Sequence, residues 1–456
     1  MKASVFARPE ERKINQNLKM NQTKLNRKTT AASGRGDFAA LIGLDWASQR
    51  HALCLYDCAT EKRENSTLEH TPEAIAQWAQ GLEQRFGGKK IALCLEQAKG
   101  PLIYALLEYS FFVLYPVNPA TAARYRQAFK TSRAKDDPAD AQVCLELLLH
   151  HREKLTPWLA NDGTTRELSR LLEARRSLID LRTLLTNMLR DALKSYYPQA
   201  LELAGQDLFA PLGCQFLLKW PSLEQLQKAR TESVRKFYYA HNCRRMDVIE
   251  KRLHTIAEMK PLCRDRALIE PARIQVKMLA RQLLQLGTAL TEYDSRIEHL
   301  FAQHQDASIW QSFPGAGPTL APRLCCAFGS ERSRYQSALS IQEYSGIAPV
   351  QERSGKNQHW IHRRWARPHF VHQSFFEYAS QSALHCPWAK AFIQDQLARG
   401  KTHPTAVRAL AFKWQRIMFV CWRDRVLYHE TIYLDSLKHR GSYLARKLDQ
   451  ELPKAA

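Results

Sequence analysis

The stretch Ala39-Ala-Leu-Ile-Gly-Leu-Asp45-Trp46 decides the fold, because an apolar run typical of a buried β-strand ends there in one carboxylate, Asp45. A second run of the same kind, Lys90-Ile-Ala-Leu-Cys-Leu-Glu96, ends in Glu96. An acidic pair, Asp137 and Asp140, lies where a helix is expected to begin, and its three-residue spacing places both on one helix face. The sequence therefore predicts that four carboxylates gather near one edge of a sheet, where they could hold Mg²⁺ or Mn²⁺.

The overall composition favours a polyanionic partner. The chain has 456 residues and a formal net charge of +22, and nucleic acid is the commonest partner of so basic a protein. The eleven cysteines are scattered and form no C-x-x-C pair, which argues against a zinc ribbon or a disulfide framework and indicates a reducing compartment, the cytoplasm. No apolar run reaches the roughly 18 residues that span a bilayer, so we expect no membrane segment.

Around the two strands, the pattern predicts a mixed sheet with helices on its faces. We expect strand 39–46 to pair with an antiparallel neighbour at 51–56, and then strands 90–96 and 111–116 to alternate with helices. One helix should begin after Thr71, with Pro72 at its first position, and should end at Gly87-Gly88. Asp136 is a candidate cap for the acidic helix.

Two later segments have the seven-residue periodicity of coiled coils. One seam runs from Leu171 through Leu178, Leu181, Leu185 and Met188 to Ala192, and a longer one runs from Ala272 to Leu300. They predict an antiparallel helical hairpin or a dimerising arm, with packing against globular helices as the alternative. The chain from 310 onward is richer in arginine, histidine, tryptophan and glycine.

The order strand-Asp, strand-Glu and a K-x-D-x-x-D-A helix start resembles the RuvC-like DEDD transposases of bacterial insertion sequences. More narrowly, the chain resembles the insertion-sequence one-ten family, which is related to the Piv DNA invertases. The matching pieces are Ile42-Gly-Leu-Asp45-Trp, Leu95-Glu96, Lys135-Asp-Asp137-Pro-Ala-Asp140-Ala141, Phe313-Pro-Gly-Ala-Gly-Pro, Tyr344-Ser-Gly-Ile-Ala-Pro349 and Ser354-Gly355-Lys356. Together they cover most of residues 40 to 430.

This resemblance implies an α/β plus all-α fold and a specific chemistry. A RuvC-like, RNase-H-like catalytic domain would span residues 38–152, and a mainly helical transposase domain would span 306–435. The residues themselves, and not the family, predict a flexible basic arm at 1–37, for which an upstream start site is the alternative explanation, a helical, coiled-coil region at 153–305 and a polar, loose tail at 436–456. The four acids would hold divalent metal, and Ser354 would attack DNA covalently. Donor and target DNA would be chosen by a structured bridge RNA, and the protein would act as a dimer or tetramer.

The residues near Ser354 support contact with phosphate independently of the family. Arg353, Lys356, Arg363, Arg364 and Arg367 could each pair with a phosphate group, although a serine in a turn is ordinarily structural. Interleaved H-x-x-H pairs at 359–372 would suit zinc, but the surrounding arginines and tryptophans favour a basic binding helix.

The Gly315-Ala-Gly317 turn could present backbone N–H groups to a phosphate, and a plain turn is an equal alternative.

Three functions follow as hypotheses. The first is a DNA transposase in which Ser354 meets the Asp45/Glu96 edge, in one protomer or across two, and forms a phosphoserine bond. The second is a metal-dependent junction nuclease that uses water as its nucleophile. The third is a non-catalytic scaffold that binds nucleic acid.

Overall fold

The structure, a computed structural model, describes residues 37–96, 100–129, 137–354 and 358–451. All but the last residue of the predicted basic arm, the proposed cap Asp136 and the candidate contact Lys356 lie outside these residues. The chain forms two compact units, one ending at Ala160 and the other beginning at Asn161. Among the described residues, no helix is both long enough and apolar enough to cross a bilayer.

The first unit is built on a five-stranded mixed sheet, as the sequence predicts. Its strands are β1 (Ala40–Asp45), β2 (Arg50–Asp57), β3 (Arg63–Glu69), β4 (Ile91–Leu95) and β5 (Phe112–Pro116). They lie in the order β3-β2-β1-β4-β5, with β2 antiparallel to β1 and β3, and with β1, β4 and β5 parallel. β3 is not predicted from the sequence, because only Leu68 of its seven residues is buried and the segment has no apolar alternation.

Helices cover both faces of this sheet. They are α1 (Pro72–Phe86), α2 (Pro101–Leu106), α3 (Pro119–Phe129) and α4 (Asp137–His151). The predicted ends of α1 are confirmed: the Thr71 side chain accepts a hydrogen bond from the Ala74 N–H, and Gly87 ends the helix at φ 60°. One core packs α1 and α2 on one face of the sheet, and a second core packs α3 and α4 on the other.

The second unit contains two long helices, α5 (Gly163–Tyr196) and α11 (Arg266–Ala302), which pack against each other. They run antiparallel, because Glu167 near the start of α5 pairs with Arg296 near the end of α11 at 2.8 Å. Toward the other end, Leu189 of α5 shares a core with Val276 of α11. The predicted hairpin is therefore formed within one chain.

The seam on α11 lies where the sequence placed it, but the seam on α5 does not. Val276, Leu283 and Leu290 are buried as predicted. On α5, the predicted seam residues Leu181 and Met188 are 43% and 41% exposed. The buried positions of α5 are Thr165, Leu168, Leu172, Thr186, Leu189, Leu193 and Tyr196. Three other predicted seam residues, Leu171, Leu185 and Ala192, are partly buried against the neighbouring cores, so the predicted stripe borders the buried one.

The remaining helices connect the two long helices in sequence or form the C-terminal part of the second unit. Those between the long helices are α6 (Ala200–Leu203), α7 (Pro211–Lys219), α8 (Leu223–Gln227), α9 (Thr231–Ala240) and α10 (Met246–Glu258). After α11 come α12 (Ala307–Gln311), α13 (Gly317–Phe328), α14 (Ala338–Tyr344), the hairpin β6 (Val350–Ser354) and β7 (Gln358–His362), α15 (His369–His385), α16 (Pro387–Ala398), α17 (His403–Asp424), α18 (Glu430–His439) and α19 (Tyr443–Glu451).

The prediction of a loose tail after residue 436 is wrong for the described residues. Leu437 of α18 and Leu444 and Leu448 of α19 are buried in the C-terminal core. The sequence of this segment is polar because one face of α19 is charged and exposed. The narrow apolar stripe on its other face packs against the core.

Candidate active site and basic surface

Two of the predicted carboxylates lie at the ends of neighbouring parallel strands. Leu44 of β1 is paired with Leu95 of β4, so Asp45 and Glu96 are the next residues along each strand. Side chains alternate between faces along a strand. Leu41 of β1 and Cys94 of β4 belong to the core under α4, and Asp45 and Glu96 have the same parity. Both acids are therefore placed at the carboxyl edge of the sheet, on the face that α4 covers.

Gly43 brings α4 unusually close to this edge. A Cβ at this position would lie within 3.0 Å of backbone atoms of both Ala141 and Leu145, so only glycine allows the helix to rest directly on β1. Ala141 follows Asp140 in sequence. Gly43 precedes Asp45 by two residues on β1. Its contact therefore holds the N-terminal part of α4 close to the end of β1 that carries Asp45.

Asp140 is buried, at 5% exposed, and forms an ion pair with the guanidinium of Arg126 on α3. The described part of α4 begins at Asp137, so the acidic pair lies on a helix as predicted. The N-terminal end of a helix carries a partial positive charge, which stabilises acidic residues in its first turn.

The negative charge at this edge affects the pKa of a buried thiol. Cys144 of α4 is hydrogen-bonded to Cys94 of β4, and this bond, burial, and the negative charges of Glu96 and Asp45 raise the pKa of Cys144 well above its usual value. The thiol lies one helical turn after Asp140. The fields of Asp45 and Glu96 thus reach the same part of α4 that carries the third acid.

The residues at this edge have the chemistry of a site for a hard divalent cation, since carboxylate oxygens are the ligands that Mg²⁺ and Mn²⁺ prefer. Within the described part of the chain, however, no three histidine, cysteine, aspartate or glutamate side chains are grouped so that they could hold one ion. The structure thus brings Asp45, Glu96 and the helix of Asp140 to one place, while Asp140 itself is paired with an arginine.

A histidine pair on the opposite face of the sheet was not foreseen. His51 of β2 is fully buried, accepts the Ala47 N–H at Nδ1 (3.2 Å), and contacts His70 Nδ1 through Nε2 (3.0 Å). Because Nδ1 is an acceptor, His51 carries its proton on Nε2 and donates it to His70. Burial, and then His70, lowers the pKa of His51 to about 4. The pair fixes the turn that follows Asp45, and no sequence motif marks it.

Ser354 lies in the second unit, at the end of β6. It is paired with Gln358 of β7, and Arg353 with His359, so Ser354 is the last paired residue of β6, while Gly355 and Lys356 of the predicted turn lie outside the described residues. The predicted basic binding helix is instead divided between β7 and α15. The carboxylates belong to the first unit.

The arginines after β7 do form a basic cluster. Arg363 is exposed, and Arg367 packs beside Gly346. The pKa of Arg408 on α17 is lowered mainly by burial and further by the positive charges of Arg363 and Arg367. Burial, and then the charges of Arg367 and Arg408, lower the pKa of His372 to about 4. The Nδ1 of His372 donates a hydrogen bond to the Ser345 carbonyl. The sequence places Arg408 on a later helix with a mixed core and basic face, and it does not indicate that Arg408 joins this cluster, because about forty residues separate it from the others.

Arg364 belongs to the same segment, but it also contacts Glu343 at 3.8 Å. Trp365 beside it is 77% exposed. An exposed indole among arginines suits stacking on a base, which agrees with the predicted nucleic-acid contact.

The glycine turn lines a cavity of about 540 Å³ at the start of α13. Gly315 and Gly317 have φ of 75° and 54°, and no side chain caps this helix among the described residues. Arg323 also lines the cavity and is 6% exposed, with Nε donating to Ser374 Oγ and an ion pair to Glu377. The positive end of α13 and a buried arginine thus lie at one opening.

Two family models match parts of the chain. A family model described as "Transposase", for DEDD transposases of the IS110 type, matches residues 42–198. A second, described as "Transposase IS116/IS110/IS902 family", matches residues 307–394. The two matches cover the carboxylate edge and the segment that contains Ser354.

Several curated proteins are similar to the chain over most of its length. The "Mini-circle putative transposase for IS117" of Streptomyces coelicolor is 26% identical over 394 residues, which are 85% of this chain and 95% of that protein. The "Insertion element IS110 uncharacterized 43.6 kDa protein" of the same organism is 25% identical over 68% of this chain and 76% of its own. The "Insertion element IS900 uncharacterized 42 kDa protein" of Mycobacterium paratuberculosis is 24% identical over 68% and 77%. The chain belongs to the IS110 family of insertion-sequence transposases.

Proposed function

We propose that this transposase is a site-specific DNA recombinase whose first unit is a RuvC-like, RNase-H-like catalytic domain. The observation that carries the proposal is the register of β1 and β4, which makes Asp45 and Glu96 neighbours on the face that α4 covers. Four acids delivered by two strands and one helix start are the pattern expected of a DEDD site.

Asp45, Glu96, Asp137 and Asp140 would hold Mg²⁺ or Mn²⁺, and the bound cation would supply charge stabilisation at the scissile phosphate. The protein's own part is to keep the acids together and to exclude water, which the contact at Gly43 and the thiols of Cys94 and Cys144 support. Asp140 would have to exchange its arginine partner for the cation.

Ser354 is the proposed nucleophile. Its Oγ would attack a DNA phosphorus, form a phosphoserine bond and release a deoxyribose hydroxyl, so the number of phosphodiester bonds is conserved until strand exchange reverses the step. A serine hydroxyl needs a base or a metal to lower its proton affinity. The proposal therefore requires that Ser354 and the carboxylates act on one phosphate, within a protomer or across two.

The partners follow from charge and from the family. The basic cluster of Arg363, Arg367 and Arg408 would bind the backbone of donor and target DNA, with Gly315 and Gly317 as a further phosphate contact. A bridge RNA that selects both DNA sites is proposed from the family resemblance alone. We also propose a homodimer or tetramer in the bacterial cytoplasm.

An exposed apolar stripe supports the proposed oligomer. Leu181, Leu184 and Met188 of α5 are between 41% and 56% exposed and follow helical spacing.

A denaturing gel of protein incubated with supercoiled donor and target DNA, the element's RNA and Mg²⁺ tests the mechanism. We expect a DNA-linked protein band from the wild type, none from Ser354→Ala or Asp45→Asn, and the wild-type amount from Ser177→Ala, which changes an exposed helical serine.

Each alternative gives a different result. Cleavage without a linked band, retained in Ser354→Ala and lost in Asp45→Asn, would show a junction nuclease. DNA binding without any cleavage, unchanged in Asp45→Asn, would show a scaffold. Filter binding of the variants separates loss of chemistry from loss of DNA binding.

A further inference from the structure

The ion pair between Arg126 and Asp140 is built into the core of the first unit. The side chain of Asp140 is 7% exposed and that of Arg126 is 22% exposed. Ala122 and Tyr125 on the same face of α3 belong to the core that packs α4, so the helix places Arg126 against the start of α4. The guanidinium therefore reaches Asp140 from a neighbouring helix and not from the surface.

The charge at this edge makes such a partner necessary. Asp45 and Glu96 lie on the same face as Asp140, and their fields already reach Cys144 one turn further along α4. Burying like charges together is costly unless a cation is present. The proposed function supplies a divalent cation during the reaction, and Arg126 supplies a positive charge at Asp140 in its absence.

We propose that Arg126 is a built-in counter-ion that competes with the divalent cation for Asp140 and is released when the cation binds. The inference rests on the proposed metal site and adds a second state to it. In the first state Arg126 neutralises Asp140 from the neighbouring helix. In the second state Asp140 would be a ligand, and the guanidinium of Arg126 would be released from it. Arg126 is thus a positioning residue, because it acts through Asp140.

The sign of one substitution separates this role from a structural one. If Arg126 competes with the cation, Arg126→Gln should bind Mn²⁺ at least roughly fivefold more tightly than the wild type, since coupling between two ligands for one group typically has this size. If Arg126 only holds α3 against α4, its removal should weaken Mn²⁺ binding or leave it unchanged. Titration of the full-length protein with Mn²⁺, followed by the electron paramagnetic resonance of the free ion, measures the affinity without any catalytic assay.

Three further variants make the titration specific. Arg126→Lys keeps the charge and should stay within about twofold of the wild type. Arg124→Gln removes an exposed arginine of the same helix and should change nothing. Asp140→Asn should abolish the gain in affinity when it is combined with Arg126→Gln. A gain that survives in that double variant would overturn the proposal.

A measurement on the wild-type protein covers the case in which Arg126→Gln does not fold. The arginine reagent phenylglyoxal should modify Arg126 more rapidly after Mg²⁺ is added, while Arg124 should react at the same rate in both conditions, as read by mass spectrometry of the peptides. Equal protection of Arg126 with and without Mg²⁺ would overturn the release step. Absence of saturable Mn²⁺ binding in the wild type and in every variant would overturn the metal site as well, whereas binding that Arg126→Gln fails to tighten overturns this inference alone.

Discussion

Replacing Gly43 by alanine tests directly whether α4 positions the carboxylate edge. The added Cβ would lie within 3.0 Å of the Ala141 carbonyl oxygen and of the backbone of Leu145, where ordinary contacts are 3.4–4 Å. These are backbone atoms of a helix, so no side chain can turn aside. The helix must move away from β1, by roughly 1 Å, which is the kind of shift that overpacked cores make.

The size of the effect follows from this clash. Overpacking of this kind costs about 1–3 kcal/mol of local stability. Because about 1.4 kcal/mol corresponds to a factor of ten, amide hydrogen exchange in β1 and α4 should be faster by roughly 5- to 150-fold. The same movement carries Asp140 away from Asp45, and a displacement of about 1 Å at a catalytic group can cost on the order of a hundredfold in rate.

Hydrogen exchange followed by mass spectrometry, together with the DNA-linked band assay, measures both consequences on the full chain. Gly81→Ala is the matched control, since Gly81 lies on the exposed face of α1 with open space around it. There alanine should stabilise the helix by about 0.5–1 kcal/mol and leave activity unchanged.

If Gly43→Ala leaves exchange in β1 and α4 and the yield of linked DNA at wild-type values, the argument for a helix held directly on the strand is wrong. Loss of activity with unchanged exchange would also refute it, because the effect would then not come from movement of the helix.

Three more predictions concern single residues. Arg363→Ala and Arg408→Ala should each weaken DNA binding and reduce by about 1 the slope of log K against log salt, measured by fluorescence anisotropy at several salt concentrations; a slope unchanged in both would remove them from the interface. The pKa of His51 is about 4 in the folded protein and about 6.5 when unfolded. The unfolded state therefore binds the proton first, and stability should fall as the pH falls from about 6.5 to about 4. His51→Gln should flatten this part of the curve of thermal midpoint against pH, and an equally steep curve would contradict the assignment. Thr71→Ala removes a helix cap and should destabilise α1 by about 1 kcal/mol, detectable by faster exchange of the first turn, while Thr71→Ser should keep the cap.

The fold of the first unit was largely predictable, because short buried strands and capped helices leave local signals. The apolar run before Asp45, the cap at Thr71 and the glycine at 87 each act within a few residues, and each lies where the pattern predicts. The miss at β3 has the same physical origin. An edge strand with one buried residue has nothing in its own sequence that distinguishes it from a loop.

The long helices show where local pattern stops being sufficient. Leu181 and Met188 have the same seven-residue spacing as the buried Leu189 and Tyr196, and only packing against the rest of the chain determines which stripe is buried. Periodicity identifies an apolar face, but the partner that covers it is chosen by the rest of the chain.

By itself the sequence determined a basic, mixed α/β and helical protein with acids at strand ends, because strand and helix patterns and charge are properties of neighbouring residues. Only the tertiary structure decided that Asp45 and Glu96 share a face and that α4 lies against Gly43. It alone also decided that Arg126 reaches Asp140. These are contacts between segments distant in the chain. Their energies depend on burial and on charge at short range, which no stretch of sequence contains.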